Sequence, residues 1–177
     1  MSTLTPSQTV GPYFQTGLDW SADRRVAQVA AAAIMISGQV TDGDGAAVTD
    51  AMIEIWQADG HGRYHSTGAE GFCGLGRAAT DSAGRYRFTT VKPGAVDDAQ
   101  TALQAPHINV VVFARGLLTH LYTRLYFADD ESAHASDPVL SLVPAARRDT
   151  LIAQRSGAAY VFDIRLQGEH ETVFFEI

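Results

Sequence analysis

A histidine and an asparagine stand two residues apart at the start of an apolar run. Residues 104–113 read QAPHINVVVF, and their β-branched second half is typical of a buried strand. Side chains two apart on a strand share a face, so His107 and Asn109 are predicted to point the same way. A His-x-His pair would favour a metal site, but a neutral amide is a poor ligand for a transition metal. The pattern leaves three interpretations open: a metal site, a site that has lost its metal, or a core histidine.

Further candidate ligands lie in GHGRYHSTG, beside a long glycine-rich loop. Tyrosinate binds ferric iron well and imidazole suits iron generally, so Tyr64 and His107 give two ligands of a possible set. The residues that could complete that set are His65, His120 and Tyr122. Taken one by one, each is more simply a structural or surface residue, because single motif matches are weak evidence.

One arginine stands where a strand is predicted to end. Arg115 follows an apolar run and precedes a glycine. An arginine at the mouth of a strand can bind a carboxylate through two parallel hydrogen bonds, and the alternative is a solvated loop arginine. Other motifs offer no chemistry. Cys73 has no basic neighbour and is predicted to be an inert thiol, and the DGDG stretch is too short for a calcium loop and is predicted to be a turn.

The elements that must position these residues are mostly strands. Strands are predicted on both sides of DGDG and at RYRFTTV, HINVVVF, HLYTRLYF, YVFDIRLQG and ETVFFEI. Residues 58–76 are predicted to form a loop, and residues 144–155 a short helix that begins at Pro144. About seven or more strands with one short helix predict a mainly β fold, a β-sandwich, in a single domain over residues 1–177.

Composition and charge exclude several classes of protein. The chain has 177 residues, of which 46% are hydrophobic, enough for a substantial core. A net charge of -7 argues against nucleic-acid binding. The single cysteine cannot form an intramolecular disulfide, the N-terminus does not resemble a signal peptide, and AQVAAAAIMI is too short to span a membrane. We therefore expect a cytoplasmic protein without membrane association.

The first twenty residues show no periodicity but contain three aromatic residues, Tyr13, Phe14 and Trp20. An aromatic, turn-rich segment of this kind is not expected to stay free in water. Residues 1–20 are therefore predicted to form an N-terminal arm that packs on another surface.

Several stretches together resemble the intradiol ring-cleaving dioxygenases over nearly the whole chain: TPSQTVGPYF, IEIWQADGHGRY, KPG, APHIN, FARG and GEHETVFFEI. The catalytic chains of that family hold non-haem Fe(III) with two tyrosines and two histidines. By this resemblance Tyr64 and His107 match two ligand positions. Val96 stands where the second tyrosine is expected, and Asn109 stands where the second histidine is expected. Gln104 replaces an arginine that helps to handle the substrate.

The resemblance implies a non-iron-binding alpha chain that pairs with a homologous beta chain. The beta chain would bind the Fe(III), and this chain would bind no metal. The N-terminal arm would pack on the partner, so that four arm residues and one arginine reach the shared substrate pocket. These residues are Thr9, Gly11, Pro12, Tyr13 and Arg115.

The expected reaction of the complex is the cleavage of 3,4-dihydroxybenzoate by O2 to 3-carboxy-cis,cis-muconate. Two alternatives remain from the sequence. The first is an active homo-oligomeric dioxygenase whose iron is held by substitute ligands such as His65, His120 or Tyr122. The second is a non-enzymatic binding module of the prealbumin type, since GQV…TDSAGRYRFTTVKPG also fits such modules.

Overall fold

The computed structural model describes residues 9–11, 33–65, 72–97 and 102–176. The described residues form nine strands: β1 Ala33–Thr41, β2 Met52–Gln57, β3 Leu75–Ala79, β4 Arg85–Val91, β5 His107–Phe113, β6 Leu121–Phe127, β7 Ile152–Ser156, β8 Ala159–Val161 and β9 Ile164–Arg165. Within the same ranges, one short α-helix, Glu131–His134, follows β6. No helix there is long and apolar enough to cross a membrane.

Alternating burial explains why these segments form strands. In β4, Tyr86 and Phe88 are buried while Arg85 and Arg87 are exposed, as the alternation in RYRFTTV predicts. β1 pairs with β4 in antiparallel register and places Ile36 opposite Phe88. The pair therefore presents one apolar face to the core.

The strands join edge to edge in the order β3-β2-β5-β6-β7-β8-β1-β4, and β9 pairs with β1. β3 and β4, at the two ends of this order, also contact each other, so the sheet is nearly closed. Ile36 and Phe88 from one half share a single buried cluster with Ile55, Val110 and Leu125 from the other half. The mainly β prediction is confirmed, and the two-layer sandwich stays a prediction.

Three turns are built in the same way around an aspartate. In each, the Oδ1 atom accepts hydrogen bonds from the backbone N–H groups two and four residues later. The third residue after the aspartate is a glycine with positive φ, a conformation that glycine adopts without steric cost. The three aspartates are Asp42, Asp59 and Asp81.

The segment predicted as a helix over residues 144–155 is only partly helical. A 3-10 helix covers Ala145–Leu151, and the chain then enters β7. Ile152 pairs in parallel with Tyr126 of β6. The prediction was wrong beyond Leu151, because sheet pairing overrides the local helical pattern.

Two other boundaries differ from expectation. The loop predicted over residues 58–76 ends earlier, because β3 begins at Leu75 and pairs with β2. The C-terminal ETVFFEI is not a strand over its described residues. It joins the sheet through an isolated bridge, in which Phe175 N–H donates to the Tyr122 carbonyl oxygen at 2.8 Å, and through Thr172, whose N–H donates to the Arg165 carbonyl oxygen of β9 at 3.0 Å.

A buried hydroxyl gives a first prediction. The Tyr86 hydroxyl donates to the Phe162 carbonyl oxygen at 2.6 Å in the core. Tyr86→Phe leaves that buried carbonyl without this donor and should lower the free energy of unfolding by about 1–3 kcal/mol in a denaturant titration. Tyr160→Phe is the matched control, because its acceptor, Asp129, keeps an ion pair with Lys92. Equal effects of the two variants would contradict this interpretation.

Candidate functional site

The first cluster lies where β5 begins. The Tyr64 hydroxyl is 3.3 Å from His107 Nε2, and Asn109 Nδ2 donates to the Tyr64 oxygen at 3.1 Å. His107 and Asn109 share a strand face, as the spacing predicts. We call Tyr64, Val96, His107 and Asn109 the vestigial site.

The hydrogen bonds of His107 fix its tautomer. Its Nδ1 lies 2.8 Å from the Ala105 carbonyl oxygen, which can only accept, so Nδ1 carries the proton. Burial, with the nearby Arg124 charge, lowers the pKa of His107 to about 4, so the ring is neutral at pH 7. Nε2 is then an acceptor, and the Tyr64 hydroxyl donates to it.

The same environment keeps Tyr64 protonated. Its pKa is raised by burial, and the hydrogen bond from Asn109 and the charge of Arg124 oppose that rise only in part. A neutral tyrosine that donates to a neutral histidine forms a satisfied pair. The Nε2 lone pair of His107 and the hydroxyl of Tyr64, which would face a metal ion in a metal site, are therefore bonded to each other.

The turn at Asp59 places Tyr64. Asp59 Oδ1 accepts from the N–H groups of His61 and Arg63, and Asp59 Oδ2 lies 2.8 Å from His65 Nε2. Gly62 in this turn has a φ of 78°, and a Cβ there would lie 1.9 Å from the Ala95 carbonyl oxygen. Only glycine permits this approach, which brings the Tyr64 loop against the loop that carries Val96.

Val96 is buried and bonded through its backbone to a neighbouring segment. Val96 N–H donates to the Gln104 carbonyl oxygen at 3.1 Å, and Gln104 N–H returns a bond of 2.9 Å. Gln104 Oε1 accepts from Arg124 Nη1 at 2.8 Å. Arg124 stands opposite Asn109 in the β5–β6 register. The structure therefore brings a guanidinium to the vestigial site.

The donor atoms of the vestigial site do not fit ferric iron. The isopropyl group of Val96 has no donor atom, and the Asn109 Nδ2 group donates to Tyr64 and to the Trp56 carbonyl oxygen. Only Tyr64 and His107 remain as candidate ligands at this site, and the positive charge of Arg124 lies close to both. Iron needs tyrosinate and several convergent anionic or imidazole donors. Over the described ranges, no group of three His, Cys, Asp or Glu side chains could hold a metal ion elsewhere.

The substitute ligands considered from the sequence have other contacts. His65 is paired with Asp59 through Nε2. His120 packs edge-on against Tyr122, with ring centroids 4.7 Å apart, and lies beside Phe113. These contacts supply an alternative role for each side chain and do not assemble a ligand set around His107.

A second cluster lies just beyond the other end of β5. The Gly116 N–H donates to Thr9 Oγ1 at 2.8 Å, so residues 9–11 lie against the turn that follows β5. Arg115 Nε is 3.0 Å from Asp50 Oδ2, while the Arg115 side chain stays 65% exposed. The structure thus places Thr9 against the residue that follows Arg115, while Gly11 is exposed and contacts neither of them in the described chain. Pro12 and Tyr13 lie outside the described residues.

The two clusters are separated by the length of one strand. β5 has seven residues, which span about 20 Å at roughly 3.3 Å per residue. The residues predicted for a shared pocket and the vestigial site therefore stand at opposite ends of β5.

Two residues that matter for the site were not identified from the sequence. Arg124 lies in HLYTRLYF, whose alternation places it on the same strand face as Tyr122, and a cation on that face was an available signal. Asp59 lies in ADGHG, where an aspartate three residues before a glycine signals a turn. Asp59 is buried whereas Asp81, in the same kind of turn, is exposed, and the sequence does not distinguish the two.

Comparison with known proteins identifies the family of the chain. The sequence pattern of the family described as Dioxygenase (Dioxygenase_C) matches residues 11–168. The chain belongs to the intradiol ring-cleaving dioxygenase family. Within that family it is 45% identical over 201 aligned positions, covering 100% of both chains, to a protein from Burkholderia cepacia. That relative is the protocatechuate 3,4-dioxygenase alpha chain.

Other relatives include a partner subunit and a solved enzyme. The protocatechuate 3,4-dioxygenase beta chain of Burkholderia cepacia is 36% identical over 78% of this chain and 66% of its own length. Catechol 1,2-dioxygenase from Pseudomonas arvilla C-1 has a similar structure, with a TM-score of 0.66 and 25% identity over 81% of this chain. The matched part is 55% of that enzyme's chain.

The Asp59 turn makes stability depend on pH. Burial of the carboxyl group opposes ionisation, but the bonds from Arg63 N–H, His65 and His61 N–H together lower the pKa of Asp59 to about 2. Because this pKa lies below the ordinary value of 3.8, the stabilisation is complete above pH 4 and is lost as pH falls towards 2. It amounts to roughly 2 kcal/mol.

Asp59→Asn should remove this pH-dependent contribution, and denaturant titrations between pH 2 and 6 measure it. Asp81→Asn is the comparison, since Asp81 forms the same turn in solvent. The N–H groups of Arg85 and Ala83 lower the pKa of Asp81 too, but solvent screens this exposed group, so the variant should remove a smaller part of the pH slope. A wild-type pH slope that persists unchanged in Asp59→Asn would disprove the assignment.

Restoring the missing ligands tests the role of Arg124. Val96→Tyr with Asn109→His should bind only substoichiometric iron, because the guanidinium repels a ferric ion. Adding Arg124→Gln should raise the iron content and the tyrosinate-to-Fe(III) absorption. Adding Arg87→Gln instead, at an exposed position on β4, should change neither. Full iron occupancy in the double variant alone would show that Arg124 does not oppose the metal.

Proposed function

We propose that this chain is the non-iron-binding alpha subunit of a protocatechuate 3,4-dioxygenase. With a homologous beta chain, it would cleave protocatechuate (3,4-dihydroxybenzoate) between its hydroxyl-bearing carbons. Both atoms of O2 would enter the product, 3-carboxy-cis,cis-muconate. The observation that carries this proposal is the full-length similarity to an alpha chain, joined to a vestigial site whose donors do not fit iron.

By this proposal Fe(III) belongs to the beta chain, and this chain contributes pocket walls and assembly. The neutral Tyr64–His107 pair supports that division, since it needs no metal to satisfy its polar atoms. The similarity to a beta chain supports a partner with the same fold. Surfaces that position a substrate and exclude water contribute to rate without taking part in bond changes.

Arg115 is proposed to bind the carboxylate of the substrate. Asp50 holds the Nε side of its guanidinium and so orients the group. The terminal nitrogens of an exposed guanidinium can form two parallel hydrogen bonds with a carboxylate. The exposure of Arg115 is what a residue that serves a partner's pocket requires.

The N-terminal arm is proposed to line the same pocket. Thr9 anchors it to the turn after Arg115, and Gly11 follows two residues later in the sequence. Pro12 and Tyr13 continue the arm in sequence. Leu118 nearby is 65% exposed, and an exposed apolar side chain beside the arm is consistent with burial against the beta chain.

An active homo-oligomer is less well supported. It would need His65, His120 or Tyr122 as iron ligands, and each has the other contacts described above. A prealbumin-type module would leave the arm and the Arg115 turn without a role. The family membership of the chain also favours a dioxygenase subunit.

The subunit proposal predicts that iron and activity appear only in the pair. Iron content and protocatechuate-dependent O2 uptake should be measured for this chain alone and for the chain co-expressed with its beta partner. We expect both quantities to be near zero for the lone chain and stoichiometric iron with turnover for the pair. Stoichiometric iron and turnover in the lone chain would favour the homo-oligomer.

Arg115→Ala in the assembled complex should raise the KM for protocatechuate about tenfold to a hundredfold, because a charge-assisted bond to the carboxylate is lost. The iron content should not change. Arg115→Lys should have a KM between those of the wild type and Arg115→Ala. Arg87→Ala, at an exposed arginine on β4, is the control. Loss of iron in Arg115→Ala, or an unchanged KM, would place the arginine elsewhere.

A further inference from the structure

A cavity of about 560 Å³ opens above the sheet beside the vestigial site. It lies within the roughly 300–1,000 Å³ range of small-molecule sites. Its floor is one face of β2, β5 and β6, where Trp56, Asn109 and Arg124 form a row across the three strands. Phe175 of the C-terminal segment, which bridges to Tyr122, forms part of its wall.

Arg124 is the one cation among the residues that line the cavity, and it forms no ion pair with a carboxyl group of the described chain. The bonding partners of Arg124 in the described chain, Gln104 and Tyr126, are a neutral amide and a hydroxyl. Burial raises the pKa of Tyr126, so that hydroxyl stays protonated. Tyr64 and His107 beside it are neutral as well. The buried Asp137 carboxyl group bonds to the Tyr126 hydroxyl and not to the guanidinium. A half-buried guanidinium whose direct partners are neutral favours an anionic ligand.

The acid that also lines the cavity is already paired. Glu54 Oε2 lies 2.6 Å from Arg77 Nε, and this ion pair leaves the two groups close to neutral overall. Arg124 is therefore the one charged side chain lining the cavity that has no ion-pair partner in the described chain. A carboxylate ligand would meet it without facing an unpaired negative group.

The remaining walls suit a flat ring. Trp56 stacks on Tyr64, with ring centroids 5.7 Å apart and an angle of 18° between the planes. Val111 and Tyr122 continue the floor, and Phe175 stands at the side. Aromatic side chains around an apolar floor hold planar rings by stacked and edge-on contacts.

We infer that this cavity binds a small planar aromatic carboxylate, with the carboxylate at Arg124 and the ring against Trp56 and Val111. Arg124 supplies charge-assisted hydrogen bonds to the carboxylate. The ligand is held and not cleaved, because the adjoining donors do not fit iron. The chain would thus carry a non-catalytic ligand site of its own.

The test is the binding stoichiometry of 4-fluorobenzoate on the assembled complex, measured by isothermal titration calorimetry. If the partner's iron site also binds this probe, the wild type should bind two equivalents per pair and Arg124→Gln one. If the proposed function is wrong and no second site exists, the wild type should bind one equivalent and Arg124→Gln none. In both cases, the loss of one equivalent, or at least a tenfold weakening of it, is the expected result.

Two further variants make the result decisive. Val111→Phe fills the floor and leaves Arg124 in place, so it should remove the same equivalent even if Arg124→Gln fails to assemble. Arg87→Gln should leave the stoichiometry unchanged. Adipate, which has carboxylates but no ring, should bind this site at least tenfold more weakly. The same number of equivalents in wild type, Arg124→Gln and Val111→Phe would overturn the inference.

Discussion

A buried carboxyl group holds the vestigial site in place. Asp137 is fully buried, and its oxygens accept hydrogen bonds from Ala105 N–H, the Tyr126 hydroxyl and two N–H groups of the turn that follows it. The carbonyl of Ala105 in turn accepts from His107 Nδ1. A buried carboxyl group is tolerated only when donors surround it, so these segments are mutually dependent. The orientation and the protonation of His107 follow from this arrangement.

The polar side chains of the vestigial site orient one another. A metal ion would orient its ligands and neutralise their charge. Here the Tyr64–His107 hydrogen bond and the amide of Asn109 provide the orientation. Arg124 provides a positive charge beside them that belongs to the chain itself.

β4 could be predicted from its alternation and β5 from its β-branched apolar run, and so could the shared face of His107 and Asn109. The roles of Tyr64 and Val96 required the resemblance to a family, since spacing alone does not bring distant loops together. β7 could not be predicted, because its parallel pairing with β6 is non-local. The charge of Arg124 was visible in the sequence, but the neutrality of its neighbours depends on burial.

The two residue clusters described above lie at the two ends of β5, one at His107 and one just before Arg115. When two homologous chains associate about an approximate two-fold axis, a contact from surface A of one chain to surface B of its partner is repeated from surface A of the partner to surface B of the first chain. If the Arg115 end serves the partner's pocket, the partner's corresponding turn then approaches the His107 end of this chain. Such a pair encloses two pockets of related shape, one with iron and one with only an arginine. Loss of the metal from one chain would then leave the reciprocal geometry of the assembly intact.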